Sequence, residues 1–173
     1  MTDSPICILV YRRDERPDTA ITEAVARLRA DGIDVQGLLQ EGTEGSASCC
    51  ATLFLEDIGS GRRVEIFQNR GRETRGCRLD ASGLAEAAAW LREAIESRPA
   101  VLVLNRFGRQ EAEGRGLVDE IAAAAVAGIP VIVPVNEKLL PEWDAFSGGA
   151  DDRMPANPDR ILQWCRSIVA APA

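Results

Sequence analysis

Ile6-Cys7-Ile8-Leu9-Val10-Tyr11, followed by the polar stretch Arg12–Pro17 and the segment Asp18–Gln40, decides the fold class. An unbroken apolar run of this length matches a strand covered on both faces, because a half-exposed strand would alternate. Asp18 is the expected N-cap of a helix whose buried face carries Ile21, Val25 and Leu28, and Asp31-Gly32 supplies the stop. Ile33–Gln40 reads as a second strand. Strand, loop, helix and strand within this span form the pattern of a right-handed parallel crossover.

Working outward, Ala51–Glu56 and Arg63–Gln68 are short β-type segments joined by the turn-forming Asp57-Ile58-Gly59-Ser60-Gly61, which predicts an antiparallel hairpin. Asn69–Arg78 is a polar loop rich in Gly and Arg. Asp80 then caps a helix over Ala81–Ser97 with Leu84, Ala88, Leu91 and Ile95 inward. Ala100–Leu104 is a buried strand, Asn105–Gly116 a loop, and an alanine-rich helix follows to Ala127 and stops at Gly128. Ile129–Val135 is a further strand, with Pro130 and Pro134 expected where its ends leave the ladder. A short helix over Glu137–Phe146, a loop over Ser147–Pro158 and a last helix from Asp159 complete the chain. Trp90, Trp143 and Trp164 fall on helix patterns and are expected in the core. The elements predict one domain over residues 1–173, a three-layer α/β/α sandwich whose mostly parallel sheet carries an inserted hairpin. Such sheets bind ligands beyond the carboxyl ends of their strands, here after Tyr11, Gln40, Leu104 and Val135. Periodicity does not give the strand order.

Composition narrows the chemistry. The chain has 173 residues, 46% hydrophobic and 27% charged, enough for a core without metal or disulfide staples. A net charge of −7 disfavours nucleic acid and anionic membrane as partners. No apolar run reaches the length of a membrane span, and Met1–Pro5 lacks a basic leader, so a cytoplasmic location is expected. There is no histidine, which removes His-dependent triads and His metal sites. Lys138 is the sole lysine, and arginine is too basic to serve as a proton acceptor. The five cysteines are odd in number and form no C-x-x-C pair, so no metal site is expected. Cys7 and Cys165 sit in apolar patterns and read as core. The roles of Cys49, Cys50 and Cys77 stay open.

Val101-Leu102-Val103-Leu104-Asn105-Arg106-Phe107-Gly108-Arg109-Gln110-Glu111, with the helix and strand after it, resembles the small nucleoside-triphosphatase family of the P-loop class. That resemblance implies a P-loop-like topology, and specific residues match only around 101–113. The wording Gly76-Cys77-Arg78-Leu79-Asp80 and Asn105–Gly116 is closer still to an uncharacterised bacterial family, a domain of unknown function sometimes encoded near molybdenum-transport genes. The triphosphatase pattern is broken in two places. The first loop, Arg12–Thr19, is a degenerate Walker A with neither glycine nor lysine, and Pro17 removes one amide donor. At the end of the 101–104 strand, Asn105 and Arg106 stand where that family has metal-holding acids. Gly108, Glu111 and Arg109 (in place of lysine) retain the family's wording.

No catalytic set is assigned, and hydrolysis is not expected. The candidate ligand-binding residues are Arg106, Arg109 and Glu111, with Arg72, Arg75, Cys77 and Arg78 before the Asp80 helix and Arg13 in the first loop. Arg115 and Glu113 lie beside them. Arginine forks suit planar or tetrahedral oxyanions, whereas the same charges could simply pair with one another on the surface. The expected function is that of a non-hydrolysing protein holding an oxyanion or a nucleotide phosphate, with molybdate handling suggested by the second resemblance. Two alternatives stand beside it: a nucleoside triphosphatase with an atypical phosphate loop, and a protein-interaction module meeting a partner or a second copy of itself. The cofactor is left unassigned.

Overall fold

The apolar run Ile6–Tyr11 forms strand β1, and its alternate side chains serve two cores. Cys7 and Leu9 pack with helix α1 (Pro17–Ala30) and helix α6 (Pro158–Ala170) on one face of the sheet. Ile8 packs on the other face, with helices α2 (Ala81–Glu96), α4 (Val118–Val126) and α5 (Leu140–Ser147). The computed structural model describes residues 5–42, 53–68 and 78–170.

Between the helix layers, the remaining strands are β2 (Val35–Gly42), β3 (Leu53–Asp57), β4 (Arg63–Gln68), β5 (Arg78–Leu79), β6 (Val101–Val103), β7 (Val131–Asn136) and β8 (Asp152–Pro155). Among the described residues they form one sheet in the order β5-β4-β3-β2-β6-β7-β1-β8. Pairing is parallel from β2 to β8 and antiparallel from β2 to β5. The fold is therefore the expected α/β sandwich with a P-loop-NTPase-like, mostly parallel sheet. β2 is the seam where the hairpin β3–β4 joins it.

Several local expectations are corrected. Helix α1 begins at Pro17 with Arg16 as N-cap, so Asp18 lies in the first turn and caps nothing. Proline is preorganised for the first helical position, which moves the start one residue upstream. Asp80 does cap α2, its Oδ1 accepting from the amides of Ser82 (2.9 Å) and Gly83 (3.3 Å). The buried face of α2 is Gly83, Ala87, Trp90, Leu91 and Ala94, while Leu84, Ala88 and Ile95 pack at its margin. The helix is turned so that Gly83 meets the hairpin, where a Cβ would lie 2.3 Å from the Glu65 carbonyl oxygen.

The expected loop 105–116 contains a short helix, α3 (Arg109–Ala112), and the loop 147–158 contains the edge strand β8. Strand β5 falls at the end of the loop expected over 69–78. Helix α5 is preceded by a 3-10 turn over Glu137–Leu139. Pro134 lies inside β7, opposite Leu9 of β1. Its carbonyl accepts from the Phe107 amide at 2.9 Å. Its missing N–H thus faces the β6 side, beyond the end of β6 at Val103, so no ladder bond is lost.

All three tryptophans are buried. Trp143 donates from Nε1 to the buried Asp151 carboxylate at 2.8 Å, which also accepts from Arg153 Nε at 2.8 Å and ties α5 to the β8 edge. Cys7 and Cys165 are buried free thiols. Burial pushes the Cys7 thiol far above its ordinary range, with Cys165 and the Asp152 and Asp151 carboxylates adding to the shift. Burial pushes Cys165 up to about 12. Since the thiolate is the nucleophile, iodoacetamide at about pH 8 should leave both unmodified in native protein and label both in denaturant. Peptide mapping checks this, and native labelling at the denatured rate would contradict it. Cys49, Cys50 and Cys77 lie outside the described residues, as do Arg72 and Arg75.

Candidate ligand cleft

Parallel strands deliver their carboxyl ends to one edge of the sheet, and here Tyr11 ends β1, Gln40 lies near the end of β2, and Asn105 follows β6. A cleft of about 720 Å³ opens at this edge. Tyr11, Asn105 and Arg106 lie on the sheet side, Arg109, Gln110 and Arg115 come from α3 and the loop after it, and Leu53, Ile66 and Leu84 come from the hairpin and α2. The side chain of Arg106 crosses to α1, where Nη2 is bonded to Asp18 Oδ2, and its guanidinium carbon stands 5.1 Å from the Tyr11 ring centroid. Burial opposes its charge, but the hydrogen bond and the Coulomb attraction of Asp18, with Tyr11 adding to them, raise its pKa overall. The Nε of Arg106 and the Oδ1 of Asn105 are buried without a partner among the described residues.

Glu111 has a structural position. Its Oε2 accepts from the Gly108 amide and its Oε1 from the Leu117 amide, both at 3.0 Å. The carboxylate thereby closes the first turn of α3 and pins the return of the chain toward α4. Gly116 lies directly over it, with φ at 65° and no room for a Cβ, which would sit 2.2 Å from Glu111 Oε1. The loop is held from inside, and α3 presents Arg109 outward to the cleft.

A count of partners shows which charges are available. Arg106 is paired with Asp18, Arg115 is paired with Glu113, and Glu111 is taken up by amides. Arg109 is the cleft-lining cation with no ion-pair partner among the described residues. The Arg115–Glu113 pair is solvent-exposed, and such pairs exchange partners at little cost.

Of the residues expected from sequence, the structure brings Arg106, Arg109 and Glu111 together, with Arg115 beside them. Arg13 is exposed in the first loop and does not line the cleft. Arg78 is placed by its backbone in β5. The first loop is short: Glu15 accepts from the Arg12 amide at 2.7 Å, and Arg12 pairs with Glu137 at 3.4 Å. Asp18, Tyr11, Gln40 and Leu84 were not among the expected site residues. A signal for Asp18 was available, because an acid just after a helix-starting proline is free to take a partner other than its own amides.

A second depression, about 600 Å³, adjoins the cleft and is lined by Asp18, Glu23 and Glu41 among others. Gln40 borders both, so the Asp18–Arg106 pair stands between them.

Residues 6–164 match the model of a family described as a protein of unknown function (DUF2478). A protein of Bradyrhizobium diazoefficiens, named molybdenum import ATP-binding protein ModC 2, is 34% identical over 161 residues. That span is 93% of this chain and 18% of the relative, so the chain spans less than a fifth of the relative's length. The solution structure of a human cancer-related nucleoside triphosphatase superposes with a TM-score of 0.65 at 16% identity and covers 94% of both chains. This last likeness is one of fold.

Proposed function

Because the chain belongs to the DUF2478 family, whose matched span contains every element around the cleft, we propose that it is a non-hydrolysing binding protein for an oxyanion or phosphate-bearing ligand. The observation that carries the proposal is Arg109, unpaired and presented by a rigidly clamped turn into a cleft at the sheet's carboxyl edge. Ligand pockets of small molecules fall in this size range and at this place in open α/β sheets. Two features support the absence of hydrolysis. The loop Arg12–Arg16 offers no glycine-rich amide cradle for a polyphosphate. Asn105 and Arg106 stand after β6, where a carboxylate would be needed to hold magnesium.

The name of the Bradyrhizobium relative brings molybdate among the candidate oxyanions, in a role beside molybdenum import. No helix among the described residues is long and apolar enough to cross a membrane.

The test is a thermal-shift screen with molybdate, tungstate, sulfate, phosphate, ATP and GTP, with and without magnesium. A ligand at ~100 times its dissociation constant adds about 2.7 kcal/mol, or roughly 5–10 °C for a chain of this size. The expected result is a magnesium-independent shift with at least one anion, abolished in the Arg109→Ala/Arg115→Ala double variant. Magnesium-dependent phosphate release from ATP or GTP would overturn the non-hydrolysing reading. A shift unchanged in the double variant would move the site elsewhere.

A further inference from the structure

Granted that the cleft binds an anion, we infer that its ligand is an organic anion, with one anionic head and a flat or apolar body, and that Asp18 excludes polyphosphates. Three observations lead there.

The first is charge. Among the described residues the cleft offers one cation without an ion-pair partner, Arg109, and one exposed pair, Arg115–Glu113, that can release its arginine. Two guanidinium forks suit a single phosphate, sulfate or carboxylate group. Arg106, which would extend the cationic surface toward α1, is already held by Asp18.

The second is size and wall chemistry. The volume of about 720 Å³ far exceeds a tetrahedral oxyanion, which displaces roughly two or three waters of ~30 Å³ each. Leu53, Ile66 and Leu84 form an apolar wall in the same cleft. A bare oxyanion gains nothing from that wall, whereas an apolar or aromatic body covers it and is stabilised by the burial. Gln40 and Gln110 supply neutral donors and acceptors for a polar edge of that body.

The third is the partition. A chain of phosphates extending from Arg109 past Arg106 would enter the neighbouring depression, where Asp18, Glu23 and Glu41, paired with Arg106, Arg27 and Arg63, outnumber the one lining cation, Arg16. Like charges there cost binding energy, so specificity is set by repulsion as well as by attraction. Asp18 takes part in both: it neutralises Arg106 and lines the neighbouring depression.

Calorimetric titration of the full chain with orthophosphate, phenyl phosphate, adenosine monophosphate and ATP, without magnesium, tests the inference. Phenyl phosphate and adenosine monophosphate should bind ~10–100-fold tighter than orthophosphate, and ATP no tighter than the monophosphate. Leu84→Asn, at a partly exposed position, should weaken the two organic phosphates ~10-fold while leaving orthophosphate unchanged. Asp18→Asn should tighten ATP about tenfold or more by freeing Arg106 and removing one carboxylate. Orthophosphate binding as tightly as the organic phosphates, ATP binding best to the wild type, or Leu84→Asn weakening all ligands equally would each overturn the inference and leave the anion-binding function standing. Failure of all four ligands to bind wild type or variant, with no shift for molybdate or any other anion in the thermal screen, would instead remove the function on which it rests.

Discussion

Replacing Gly37 by alanine is expected to destabilise the protein by about 4 kcal/mol or more, through steric overlap and a disfavoured backbone acting together. Gly37 lies in β2 with φ at 121°, and a Cβ built there falls 1.9 Å from the Val103 carbonyl oxygen and 2.8 Å from the Val103 nitrogen. The obstacle is backbone of the adjacent strand, so no side-chain rotation relieves it. Gly37 is one of the three residues by which β2 pairs with β6, the others being Val35 and Gln36. Its carbonyl also accepts from the Ile58 amide at 2.9 Å, which fixes the turn of the hairpin. Pushing β2 away from β6 therefore parts β2, and the hairpin attached to it, from the other parallel strands. Against a typical total stability of ~5–15 kcal/mol, the variant should melt roughly 8–16 °C lower or fail to accumulate folded. Gly32 and Gly128 provide the contrast, with φ of 79° and 68° but nothing within 4 Å of an added Cβ. Alanine at either should cost about 1 kcal/mol, from backbone strain alone. A Gly37→Ala protein that melts with those two controls would show that β2 and β6 separate freely, contrary to the close approach described.

Gly37 also marks how far the sequence can be read. The runs Ile6–Tyr11, Val101–Leu104 and Val131–Val135 announce buried strands because they are short, rich in β-branched residues and covered on both faces. Asp80 announces its helix because a cap acts on amides two and three residues away. These signals are local. Strand β8 carries Asp152-Arg153-Met154-Pro155, with no apolar run, since it lies at the sheet's edge and is a strand only through its ladder to β1. Helix α3 is four residues long and exists because Glu111 holds both ends of its loop. The general rule for parallel sheets directs attention to the loop after β6, and Arg106, Arg109 and Glu111 on that loop do line the cleft. Their states were not legible. Arg106 is neutralised by a carboxylate 88 positions away in sequence, and the apolar wall comes from three separate elements that only the strand order brings together. Periodicity reports which residues are covered, and it is silent on what covers them.

Glu111→Ala is expected to lower stability by about 3–5 kcal/mol, since two hydrogen bonds to a charged acceptor are lost and the Leu117 amide is left buried. It should also abolish anion binding, although the substitution removes a negative charge from the edge of the proposed anion site. The sign of that second effect is informative. If Glu111 acted on the ligand directly, its removal or its conversion to Gln would relieve repulsion and tighten binding. If it acts by holding Gly108 and Leu117, the loss frees the turn that carries Arg109, and binding weakens with the charge gone. Glu111→Gln separates the two routes cleanly. Its amide oxygen can accept from one of the two backbone amides, but its NH2 group meets the other donor to donor. About half of the stabilisation should survive in Glu111→Gln, and phenyl phosphate should bind more weakly than to wild type by ~3–10-fold, an intermediate position between wild type and Glu111→Ala. Thermal melting and the same calorimetric titration read both quantities. Tighter binding in Glu111→Gln, or a Glu111→Ala melt equal to wild type, would mean that the turn holds its shape unaided and that Glu111 faces the ligand; weaker binding in step with lost stability places it beneath the site, as the support of Arg109.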